Sequence, residues 1–290
     1  VTSLIQIRNR DNASRSPGDK EKLLFALLSD LPSVIIALSG GADSAYLAWA
    51  AHTSLGKNAL SVTALSPSFS AHDRTTLEDF VRITNICHEF IATHEMENPA
   101  YRANSANRCY YCKAELFTVL DALAGNRKIA AVAYGVNADD TLDFRPGHRA
   151  ASEHQVLAPL LRVGLAKSEI RELSRRAGLP TWDRPASACL SSRIPYGSEV
   201  TPERLALVER GEVALRQLGF RQFRVRLYDH SARVEIALDE LHRAFEPAVS
   251  ASITRALESV GFVHVTLDPR GYRQGSLNEA LRAEPHAPPL

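Results

Sequence analysis

The sequence predicts an α/β protein, a doubly wound parallel sheet followed by a smaller C-terminal α+β domain. Three observations carry that prediction. Near-continuous apolar runs alternate with segments of helical period through the first part of the chain, the pattern of strands covered on both faces. The first such run, 34–38, enters a glycine turn and then an alanine-rich helix in "SVIIALSGGADSAYLAWAAHTSL". After Pro195, Tyr196 and Gly197 the pattern changes to a capped helix and alternating strands, which sets a domain boundary near residue 198.

Taken in order, residues 1–19 are polar and read as a loose arm, and 20–28 as a short amphipathic helix. Strands are expected at 34–38, 59–65, 89–93 and 129–134. Helices are expected at 74–86, 113–124 and 167–177, the last stopped by Gly178 and Pro180. The first domain thus spans 20–197 and the second 198–282. In the second, Thr201 caps a long helix with Pro202 in its first turn. "FRVRLYDHSARVEIAL" is a hairpin turning near 229–231, and a helix over 241–260 with a strand over 262–267 completes the unit. The tail 283–290, "AEPHAPPL", reads as disordered.

Composition narrows the function classes. Of 290 residues 45% are hydrophobic and 23% charged, the balance of a soluble globular protein, and no apolar run approaches a membrane span. A formal net charge of +1 lacks the basic excess of a dedicated nucleic-acid binder. Four cysteines in a chain this long make no disulfide framework. With no secretory signal visible, they are expected as reduced thiols in the cytoplasm.

Ser39, Gly40, Gly41, Ala42, Asp43 and Ser44 stand where an apolar strand turns into a helix. Two glycines let backbone approach a phosphate, and a helix N-terminus offers open amides and a positive dipole end. Ser39 and Ser44 can add hydroxyl bonds, while Asp43 can orient the loop or hold Mg2+. The P-loop lysine is missing. The bland alternative is a strand-to-helix turn that binds nothing. "SGGADS" in this place resembles the pyrophosphate loop of the PP-loop ATPases, and that resemblance implies cleavage of ATP between its α and β phosphates with adenylation of an acceptor.

In "NRCYYCK", Cys109 and Cys112 lie three residues apart at the start of a helix, on one face. Arg108, Lys113 and the helix N-terminus favour thiolate there. Such a pair suits a metal or iron–sulfur group, a redox dithiol, or plain structure. Cys189 sits among prolines and small residues in "LPTWDRPASACLSSRIPYG", outside regular structure, with Arg193 able to stabilise a thiolate or hold a phosphate. Cys87, beside His88, reads as a buried structural cysteine in a helix. "GVNADDTLDFRPG" follows the 129–134 strand, where loops face the ligand crevice of a doubly wound sheet. Its Asn137, Asp139, Asp140, Asp143 and Arg145 suit ribose, Mg2+ or an anion, or form a well-capped turn. Arg224 and Arg226 share one strand face and can grip a phosphate, while Glu212 and Glu235 can hold ribose hydroxyls or tune the site. The alternative is a solvated face of ion pairs.

These stretches, with "APLLRVGLAKSEIRELSRRAGLPTWDRPASACLSSRIPYG" and "GYRQGSLNEAL", resemble the LarE family of ATP-dependent sulfur transferases over most of the chain, from Ser39 to Leu281. The resemblance implies a PP-loop domain with a smaller C-terminal domain, homo-oligomers, and a pyridinium-3,5-biscarboxylic acid mononucleotide substrate. Its carboxylates are adenylated and become thiocarboxylates, on the way to the nickel-pincer nucleotide of lactate racemase. The resemblance implies that Arg224 and Arg226 bind this substrate, with Arg193, Glu212 and Glu235 near it. Two sulfur chemistries occur in the family. In one, the cysteine matching Cys189 gives up its own sulfur and is left as dehydroalanine. In the other, three cysteines hold a 4Fe–4S cluster that carries sulfide from a separate donor. Cys109, Cys112 and Cys189 make this sequence similar to the second branch. The rival readings are a PP-loop tRNA thiolase and a nucleotide-binding regulator without catalysis.

Overall fold

The computed structural model describes residues 15–142, 147–185, 188–273 and 275–277. Asp143, Arg145, most of the polar arm and the 283–290 tail lie outside the described residues. In chain order the elements are α1 (Pro17–Ser29), β1 (Val34–Ala37), α2 (Ala42–Leu55), β2 (Ala59–Leu65), α3 (Ala71–Thr84) and β3 (His88–Ala92). Next come α4 (Pro99–Arg102), α5 (Arg108–Arg127), β4 (Ala131–Tyr134), α6 (Gly147–Glu153), α7 (Pro159–Arg162) and α8 (Lys167–Arg176). The last are α9 (Pro202–Gln217), β5 (Phe223–Tyr228), β6 (Ser231–Ile236), α10 (Leu238–Ala244), α11 (Pro247–Ser259) and β7 (His264–Leu267).

The chain forms two compact units: the described residues up to 95 with those of 109–185, and 96–108 with those from 188 onward. The second unit therefore takes in 96–108 and 188–197, which the sequence reading assigned to the first domain. Hydrogen bonds explain the difference. The buried Asn104 amide donates to the carbonyls of Ile194, Pro195 and Ser198, and the Val200 amide donates to the Arg102 carbonyl. These bonds tie the two segments into one body.

In the first unit β1 to β4 form a wholly parallel sheet in the order β3-β2-β1-β4. All four residues of β1 are buried, and they alternate between two cores. Val34 and Ile36 pack with Leu24, Leu28, Leu47, Phe80 and Leu173 from α1, α2, α3 and α8. Ile35 and Ala37 pack with Phe117, Leu120 and Ala150 from α5 and α6. Helices on both faces make the sheet doubly wound. Strand order reverses between β1 and β4, so the crevice beyond their carboxyl ends is the place such a sheet offers a ligand.

In the second unit β5 and β6 form an antiparallel hairpin, with β7 parallel to β6. Thr201 accepts the Arg204 amide at 3.3 Å as the cap of α9. At Gly211 the helix presses so closely on its neighbours that a Cβ would stand 2.9 Å from the Phe262 ring. The expected helix over 241–260 is two helices, because Pro247 lacks an amide and cannot continue α10. Cys87 is half-buried in the link between α3 and β3, outside any helix: Asn85 ends α3 in a left-handed conformation. Among the described residues no helix is long and apolar enough to cross a membrane.

Candidate functional site

The loop after β1 occupies the crevice. Gly40 takes a φ of +76°, and Gly41 is the N-cap of α2 with no side chain capping it, so the first amides of the helix stay open to a ligand. Ser44 braces the turn: its hydroxyl accepts the Ser39 amide at 3.2 Å and donates to the Gly41 carbonyl at 3.1 Å. Asp43 lies in the first turn. Its Oδ2 accepts Lys167 Nζ at 2.5 Å, while Oδ1 is buried without a hydrogen-bond partner. Burial pushes the Asp43 carboxyl above the ordinary carboxylate range, against the opposing charge of Lys167. An orphaned buried carboxylate oxygen beside a phosphate-type loop has the chemistry of a Mg2+ ligand.

The loop after β4 closes the other side. Gly135 approaches so closely that a Cβ would stand 2.7 Å from Ser44 N and Cα. Asn137 Oδ1 accepts the Asp139 amide, and Asp140 Oδ2 accepts the Asn137 amide, so these two side chains build a capped turn. Asp139 instead receives the Lys167 amide at 2.8 Å. The individual roles of Lys167, Gly135 and Arg184 escaped the sequence reading. A glycine directly after a parallel strand was a signal for Gly135. Lys167 and Arg184 act over 124 and 144 residues of chain, a pairing without local signature.

Cys109, exposed, and Cys112, half-buried, stand in the first turn of α5 in the first unit; Cys189, exposed, belongs to the second. Arg108, the residue before Cys109, opens α5. Its buried guanidinium donates to Asn104 Oδ1 and to the Ser191 carbonyl, within the second unit. Among the described residues no group of three or more His, Cys, Asp or Glu is arranged to hold a metal ion.

Around Cys189 the side chains form an arginine layer. Arg193, 4% exposed, grips Glu212 through two bonds of 2.8 and 3.0 Å and donates Nη1 to the carbonyls of Ala188 and Cys189. Arg226 is held by Glu235 at 2.9 Å and donates to the Ser192 carbonyl at 2.7 Å. Glu235 also receives Arg233 and the Ser276 hydroxyl. Glu212 and Glu235 are thus buried partners of arginines. Arg193 is likewise turned to Glu212 and the loop backbone. Arg224 donates to the Phe223 carbonyl and lies 4.9 Å from the Tyr272 ring centre. Burial, followed by the charge of Arg193, depresses its guanidinium pKa, while Glu212 pulls the other way.

No family model matches the chain. Three curated relatives do. A protein of Lactiplantibacillus plantarum named pyridinium-3,5-bisthiocarboxylic acid mononucleotide synthase is 34% identical over 269 residues, covering 90% of this chain and 95% of the relative. This chain belongs to the LarE family. An uncharacterized protein of Synechocystis sp. is 42% identical over 89% of this chain and 96% of its own length. Another, from Methanocaldococcus jannaschii, is 29% identical over 59% of this chain and 66% of its own. Family membership agrees with the parallel PP-loop sheet and the small sheet domain that follows it.

Proposed function

We propose that this LarE-family chain is an ATP-dependent sulfurtransferase that converts the carboxylates of pyridinium-3,5-biscarboxylic acid mononucleotide to thiocarboxylates for nickel-pincer nucleotide synthesis. The observation that carries the reading is the end-to-end similarity to the Lactiplantibacillus plantarum synthase, whose name states that product. A carboxylate is a poor electrophile, so activation comes first. The substrate carboxylate oxygen attacks the α-phosphorus of ATP, the bond to the bridging oxygen breaks, and pyrophosphate leaves with the electron pair. Sulfide then attacks the acyl carbon and AMP departs, the thiol proton passing to solvent.

The open amides of α2, with Ser39, Gly40, Gly41 and Ser44, receive the pyrophosphate end of ATP. Asp43 would hold Mg2+, which would offset the phosphate charge, and Lys167 pairs with the same carboxylate. Arg224 and Arg226 attract the substrate phosphate, with Arg193, Glu212 and Glu235 holding that layer in shape. Cys109, Cys112 and Cys189 would be the thiol donors to a 4Fe–4S cluster, two of them one helical turn apart and the third on an exposed loop. When bound, the cluster supplies a carrier for sulfide between an external donor and the activated acyl group. The exposed Leu238, Phe245 and Val263 of the second unit support self-association, and four cysteines without a disulfide framework suit the cytoplasm.

The test combines ATP, Mg2+, the mononucleotide and sulfide with anaerobically purified protein. Thiocarboxylate product with matching AMP and pyrophosphate is expected, together with equal iron and acid-labile sulfide that vanish in Cys109→Ala and Cys189→Ala. Product without iron, and conversion of Cys189 to dehydroalanine, would assign the sulfur to Cys189 itself. ATP turnover that ignores the mononucleotide would overturn the substrate. Copurified tRNA would favour a thiolase.

A further inference from the structure

We infer that Arg184 is a positioning residue for ATP, acting through the nucleotide loop: its guanidinium fixes the Gly40–Gly41 peptide so that the Gly41 amide is turned toward the phosphate side. The inference rests on the reading of that loop as an ATP site and adds the residue that sets its shape.

Arg184 Nη1 donates to the Gly40 carbonyl at 2.7 Å, and Nη2 donates to Asp73 Oδ1 at 2.5 Å. The side chain is 12% exposed, so both bonds are shielded from solvent. Asp73 is itself held in place, accepting the Ser70 hydroxyl at 2.7 Å in the first turn of α3. The Arg184 carbonyl accepts Arg171 Nη2 at 2.8 Å, which anchors the residue to α8. One residue therefore locks the loop after β1 to two helices of the same unit.

The consequence follows from peptide geometry. In a planar trans peptide the carbonyl and the following amide point in opposite directions. Drawing the Gly40 carbonyl toward Arg184 turns the Gly41 amide away from it. Gly40 permits this because its φ of +76° is strained for any residue with a side chain, and a Cβ there would stand 3.3 Å from Arg184 Nη1. Arg184 is paired with Asp73, so its contribution to the nucleotide is direction rather than net charge. Lysine offers one nitrogen where two separate acceptors are served by a planar fork.

The test measures binding of ATP, inorganic pyrophosphate and AMP by the full-length protein, wild type and Arg184→Ala. Loss of the charge-assisted bonds should weaken ATP and pyrophosphate about tenfold, with AMP unchanged, because AMP lacks the group the loop receives. Methylguanidine should restore pyrophosphate binding to Arg184→Ala, and Arg184→Lys should stay weak. Unchanged ATP affinity, or an equal loss for AMP, would overturn the inference. Should Arg184→Ala fail to fold, Arg184→Lys decides: it keeps the charge, but its single nitrogen cannot serve both Gly40 and Asp73. A selective loss for ATP over AMP supports the inference, and no loss overturns it. A wild-type protein that binds neither ATP nor pyrophosphate refutes the ATP site itself, an outcome distinct from a variant that binds as well as wild type.

Discussion

The nucleotide loop and the Cys189 loop solve one problem with opposite means. Both must hold an irregular backbone so that reactive groups face outward. The 39–44 loop does it with little: glycine supplies the positive φ, Ser44 ties the turn, and a single guanidinium takes one carbonyl. The Cys189 loop has ordinary backbone angles at its cysteine, φ −58°, and relies on side chains. Three guanidiniums, from Arg193, Arg108 and Arg226, take the carbonyls of Ala188, Cys189, Ser191 and Ser192. The difference teaches where each loop is vulnerable. The first depends on conformational freedom and one charged oxygen, the second on buried ion pairs that fail when a partner is lost.

The largest effect therefore falls on the second loop. Removing one partner of a buried pair leaves an uncompensated charge, at a cost of about 3–5 kcal/mol. Glu212→Ala should destabilise the second unit by that amount in urea unfolding, since Arg193 and Glu212 are 4% and 6% exposed as side chains. Labelling of Cys189 by a maleimide should quicken as the loop loosens. An unfolding midpoint equal to wild type would show that the guanidinium finds another partner, and the contrast between the loops would collapse.

In the first loop the sensitive group is Asp43. Asp43→Asn keeps the shape and removes the charge, and should slow mononucleotide-dependent pyrophosphate release roughly a hundredfold, about 2–3 kcal/mol of barrier. The pH dependence has a definite sign. Burial raises the Asp43 pKa, so the folded chain keeps this proton to higher pH than the unfolded chain. Its contribution to stability falls as pH rises from the unfolded value through the folded one, and is flat above. In urea unfolding of the metal-free protein that falling limb of stability should disappear in Asp43→Asn. An unchanged limb would move the titration to another group.

Much of the frame was legible because periodicity and turn chemistry are local. The strand over 59–65 was read to the residue, Thr201 and Pro202 marked the start of α9, and the glycine loop stood between β1 and α2. Local signal also misled. The helical period read over 113–124 understated a helix that starts at Arg108, although Cys109 and Cys112 were placed at its start, and a long apolar pattern masked the break at Pro247. The candidate site was readable as residue types but not as partnerships. Glu212 and Glu235 were legible as polar groups near the arginines, but only burial shows which of Arg193, Arg226 and Arg233 each one holds. No spacing rule links Arg184 to Gly40 or Lys167 to Asp43, since those pairs exist only once the sheet has brought distant loops together.

The smallest expected effect sharpens the claim that burial, and not the mere presence of an ion pair, secures the Cys189 loop. Arg102 and Glu199 also pair in the second unit, joining its two chain segments, but their side chains are 45% and 51% exposed. Water screens that pair and already satisfies both groups, so its contribution should be about 0–1 kcal/mol. The segments it joins are held independently by Asn104, which is fully buried and serves three carbonyls. Glu199→Gln should therefore leave urea unfolding and Cys189 labelling near wild type, while Asn104→Ala disturbs both, because three carbonyls, that of Ile194 buried, lose their donor. A loss in Glu199→Gln as large as that in Glu212→Ala would mean that charge alone stabilises this unit, and the distinction between buried and exposed pairs would not hold.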